Sequence, residues 1–149
     1  MSSFISVDPG INTGYCCVIN GELTRRGIIR GRGKTFEDRV ENVVEKFYED
    51  VLHFCVDETK IYLEWPSFQN LVSRQTFSIP KLAFLIGRLY ETCKTYEFTP
   101  ILIPVTKYRG NCPKSVLWRR AEKYFGVKGL KNHEGDSIAL AMYLIKNNI

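Results

Sequence analysis

The stretch FISVDPGINTGYCCVIN, residues 4–20, decides the fold. An apolar run ends on Asp8, a Pro-Gly turn follows, and a second apolar run over 13–20 closes on Asn20-Gly21. That dipeptide is a two-residue hairpin signal, so residues 22–30 read as a third strand of a meander. Beyond it, apolar positions at Phe36, Val40, Val43, Val44, Phe47, Val51, Leu52 and Phe54 recur at helical spacing and predict a helix over 36–54. A fourth strand is expected over 60–65. A helix with Pro80 in its first turn runs to Tyr96, and a fifth strand over 99–104 stops at Pro104. Helices over 113–125 and 133–147 complete the order βββαβαβαα. This order predicts an α/β fold: a mixed five-stranded sheet, three strands as an antiparallel meander and two parallel, with helices on both faces.

The 149 residues are expected to make one domain, 1–149, with 44% hydrophobic residues. No basic leader or bilayer-length apolar run is seen, so neither a signal peptide nor membrane association is expected. The five cysteines (16, 17, 55, 93 and 112) form no CxxC pair, which argues for reduced core thiols, a cytoplasmic location and no zinc site. The net charge of +5 is unevenly spread. Residues 107–131 carry eight basic residues against one acid, Glu122, and residues 24–34 carry five basic residues and no acid. Residues 35–64 carry nine acids against three bases. Such segregation fits a basic face for a polyanion, or a merely solvated basic surface.

Three carboxylates stand in or beside apolar segments, where a charge is costly without compensation. Asp8 ends the first strand, at the edge where ligands gather in such sheets. Glu64 interrupts IYLEW, and Asp136 lies in NHEGDSIALAMYLI with His133 one helical turn before it. Each has an ordinary alternative: a turn aspartate, an edge glutamate, an acid complementing a helix dipole. Taken together, they are hard ligands from distant segments, as a divalent metal site for phosphate chemistry requires.

In this order the segments resemble the RuvC family of Holliday junction resolvases, in the ribonuclease H-like superfamily. FISVDPGINTGYCCV resembles the family's first strand and turn, IYLEWPSF its fourth strand, and NHEGDSIALAMYL its final helix. The resemblance implies a metal-binding catalytic quartet of Asp8, Glu64, His133 and Asp136, served by Mg²⁺ at two ions per site, with Mn²⁺ a substitute favoured by the imidazole. PVTKYRGNCPKSV resembles the stretch that carries two functional lysines, matched here by Lys107 and Lys114. Arg109 and Arg74 join them as candidate DNA contacts, and Phe68 is the nearest match to the family's junction wedge, at a spacing altered by Trp65 and Pro66. The loop over 66–78 differs from the common bacterial form and suggests a divergent viral or phage member. The implied activity is resolution of four-way or other branched DNA by a homodimer, with the helix from Pro80 to Tyr96 as the expected interface. Rival expectations are another ribonuclease H-like nuclease of terminase, transposase or debranching type, and an inert DNA-binding module of the same fold. An actin-like ATPase would need two such domains.

Overall fold

The computed structural model describes residues 3–66 and 78–149. Five strands form one sheet: β1 (Ser3–Asp8), β2 (Asn12–Ile19), β3 (Glu22–Arg30), β4 (Lys60–Trp65) and β5 (Thr99–Pro104). Their spatial order is β3-β2-β1-β4-β5. β1 pairs antiparallel with β2 and β2 with β3, while β4 lies parallel to β1 and to β5. The expected meander and parallel pair are both present. Asn20 and Gly21 take φ of 53° and 82°, the left-handed pair that a tight hairpin needs.

Helices α1 (Phe36–Asp50) and α2 (Ser78–Thr95) cover one face of the sheet. The other face carries α3 (Val105–Tyr108), α4 (Lys114–Phe125) and α5 (Asn132–Lys146). The strands alternate between two cores. Ile5, Val7, Ile61 and Leu63 pack toward α1 and α2, and Phe4 and Tyr62 pack toward α5. Helix α5 is buried almost throughout from Gly135 to Leu144, as its apolar composition requires.

Two features differ in kind from the sequence reading, besides shifts of a residue or two at helix ends such as the start of α2 at Ser78. The helix expected over 36–54 ends at Asp50, and Leu52–Phe54 form a separate 3-10 turn. Glu49 and Asp50 place negative charge at the C-terminal pole, with no basic residue to offset it. Burial of Val51 and Leu52 then turns the chain inward. The short α3 was also not expected. One turn of helix after Pro104 lacks the length for a visible apolar period.

Candidate active site

Strand pairing and alternation assemble the first half of the site. Val7 is paired with Leu63 in the parallel ladder, so the next residues, Asp8 and Glu64, come out side by side at the carboxyl ends of β1 and β4. Both fall on the α5 side, in phase with Phe4 and Tyr62. The second half comes from α5. Ser6 donates from its hydroxyl to the Ser137 carbonyl at 2.6 Å, fixing the helix over β1. Gly14 lets the first turn of α5 press onto β2, because a Cβ there would lie 2.0 Å from the His133 carbonyl oxygen. Asn132 begins this turn at φ 55°, a conformation asparagine tolerates better than most residues.

The fold thus brings His133 and Asp136 to the two strand carboxylates. His133 Nδ1 is 2.7 Å from Asp8 Oδ2. Asp136, only 4% exposed, accepts from Lys114 Nζ and from Trp118 Nε1, each at 2.9 Å. Glu64 accepts from the Tyr108 hydroxyl at 2.8 Å. The indole of Trp118 reaches its carboxylate because α5 carries Gly135 beneath it, where a Cβ would stand 3.0 Å from the ring.

The electrostatics follow from burial and crowding. Burial first, and the neighbouring Asp8 charge second, push the Glu64 carboxyl up to about 9. Burial also raises Asp8, against the opposing pull of the His133 hydrogen bond. That same hydrogen bond raises His133 above its usual value. Tyr108 is raised by burial and by Glu64, so its phenol stays protonated and donates.

Among the described residues, no three His, Cys, Asp or Glu side chains stand in the arrangement of a bound ion. Each carboxylate is instead held by a neighbour of another kind. The donor set still suits a hard divalent cation, with three carboxylate groups and one imidazole. The strongly raised Glu64 marks a buried position crowded by negative charge that the local cations do not offset.

The other expected residues make no hydrogen bond or ion pair with this cluster among the described residues, or lie outside those residues. Lys107 is exposed on α3, and Arg109 follows that helix half-buried. Phe68 and Arg74 lie outside the described residues. Sequence reasoning missed Tyr108 and Trp118. Trp118 had a usable signal, since it sits four residues after Lys114 on one face of a helix and shares its target. Tyr108 had none, being one aromatic among eight tyrosines.

A five-stranded mixed sheet of this order, with an acidic site at the ends of its first and fourth strands, is a ribonuclease H-like fold. Within that class the chain has the fold of RuvC. The structure of Thermus thermophilus RuvC in complex with a Holliday junction substrate matches with a TM-score of 0.79 at 15% identity, covering 99% of this chain and 96% of that one. A second structure of Thermus thermophilus RuvC matches with a TM-score of 0.76 at 15% identity, covering 98% and 96%. By sequence, no family model and no curated protein matches the chain.

Proposed function

We propose that the chain is a metal-dependent endonuclease that cuts four-way or related branched DNA. The observation that carries this reading is the gathering of Asp8, Glu64 and Asp136 from three distant segments to one buried edge, where burial and mutual charge hold Glu64 protonated up to about 9. Buried titratable groups gathered and perturbed in this way cluster at functional sites. Asp8, Glu64, His133 and Asp136 would hold Mg²⁺, or Mn²⁺, whose charge neutralises a phosphodiester and lowers the pKa of water.

The chain's own groups have separate tasks. Asp8 takes Nδ1 of His133 and leaves Nε2 to accept a proton or ligate. Trp118 fixes the carboxylate plane of Asp136, and Tyr108 that of Glu64. Lys114, half exposed, pairs with Asp136 now and is within reach of an incoming phosphate. Lys107 and Arg109 add cationic charge beside β5, and most affinity would be salt-sensitive phosphate contact.

Paired cuts in a two-fold junction need two sites in fixed relation, which a homodimer supplies. Helix α2 supports that arrangement. Leu85, Ile86, Leu89 and Cys93 are buried in the monomer, while Phe84 is 48% exposed beside half-buried Ala83 and Tyr90. Sedimentation at micromolar concentration should show a dimer, and a strict monomer both free and on DNA would favour a general nuclease.

The deciding experiment is Mg²⁺-dependent cleavage of a synthetic four-way junction beside matched duplex and flap DNA. Preferential junction cutting is the expected result. Equal cutting of all three would favour another nuclease of the same fold, and none at all would favour a binding module.

A further inference from the structure

Two open cavities flank the carboxylates and share a wall. One, of about 350 Å³, is lined by Arg30, Lys114, Trp118 and Asp136. The other, of about 640 Å³, is lined by Lys34, Phe36, Arg39 and Lys81. Asn12 and His133 line both. The two cavities therefore form one trough that crosses the carboxyl edge of the sheet at His133. Cations stand on both sides of the crossing, with Asp136 lining the first cavity and Asp8 held 2.7 Å from His133 Nδ1.

The second cavity is built by a segment that the metal site does not use. The loop between β3 and α1 is folded back on the helix. A Cβ at Gly33 would lie 2.6 Å from the Asp38 Cβ, and Arg39 Nε donates to the Gly33 carbonyl at 3.1 Å. The Gly31 N–H donates to the Ile11 carbonyl, tying the same loop to the turn after Asp8. Lys34 is thereby held at the trough with its side chain exposed. Among the described residues, neither Lys34 nor Arg39 has a carboxylate within ion-pair distance. Across the cavity, Lys81 stands 5.3 Å from the Phe36 ring. Acids are abundant nearby on α1, yet none of the described residues lining this cavity is acidic.

We propose that Lys34 and Arg39, with Lys81 opposite, bind the phosphates of the cleaved DNA strand on one side of the scissile bond, while Arg30 and Lys114 bind them on the other. This rests on the nuclease reading above and adds the path of the strand. The trough passes the cluster at His133 and Asp136, and a strand lying in it makes the α1–α2 side a binding surface of its own.

The test measures binding of a four-way junction to the cleavage-dead Asp8→Asn protein across a salt series. Lys34→Ala and Arg39→Ala are compared with Lys94→Ala, an equal charge change at the far end of α2. Removing one cation from a phosphate should flatten the log–log salt slope by about 0.7–0.9. Lys34→Ala and Arg39→Ala should each show this, and Arg39→Lys should recover the slope. Lys94→Ala should keep the slope of the parent. Equal slopes for Lys34→Ala and Lys94→Ala, with junction cleavage by the unsubstituted protein intact, would overturn the strand path and leave the nuclease reading standing. Failure of the unsubstituted protein to bind or cut any branched DNA would overturn both.

Discussion

His133 and Asp8 face each other at 2.7 Å although 125 residues separate them in the chain. The contact joins the end of the first strand to the start of the last helix. It also fixes which imidazole nitrogen is engaged, so Nε2 is the one left for chemistry.

Asp8→Asn keeps the shape of the side chain and removes its charge. Cleavage should drop to background, while junction binding stays within a few-fold of the parent, since affinity comes from basic residues elsewhere. Parallel gel-shift and cleavage assays check this. Substantial cleavage by the variant would remove Asp8 from the site.

Trp118→Phe retains an aromatic ring over Gly135 but loses the N–H that Asp136 accepts. Partners of this kind are worth about 10–100-fold in metal affinity or activity. Calorimetric titration with Mn²⁺ should show weaker binding by that factor, with an unchanged circular dichroism spectrum. Unaltered Mn²⁺ affinity would reduce Trp118 to packing.

Thermal stability without metal should fall as pH rises. Glu64 moves from an ordinary 4.5 to about 9 on folding, so between those values the folded chain binds more protons than the unfolded chain. Stability then declines with pH across that window, and the raised Asp8 and His133 act in the same direction. Glu64→Gln should flatten the decline. A metal-free melting temperature that rises from pH 5 to pH 9 would contradict the charge state assigned to the site.

Gly14→Ala would place a methyl against the His133 carbonyl. Overpacking of this sort costs about 1–3 kcal/mol. The variant should melt several degrees lower and lose cleavage beyond what its folded fraction explains, because α5 must shift. An unchanged melting curve would mean the first turn of α5 is not held where it stands.

The strand half of the site was legible because a sheet has a strict period. Once FISVD and IYLEW are strands, Asp8 and Glu64 fall at their carboxyl ends, but that they share a face depends on the Val7–Leu63 pairing, which only the structure supplies. The His133–Asp136 spacing was equally readable from a helical turn. What the sequence could not show is who holds these groups. Tyr108 comes from a four-residue helix too short to leave a periodic trace, and Trp118 depends on a glycine in another helix. The break after Asp50 was hidden because Val51, Leu52 and Phe54 continue the apolar stripe while the charges at the helix end oppose it.

The reliance on α5 has a consequence for when the site exists. β1 and β4 alone set two carboxylates side by side with no imidazole and no Asp136. Without the last helix packed on β2 at Gly14, the chain holds only an incomplete acidic pair. Completion of the fold and completion of the four-residue cluster are therefore the same event.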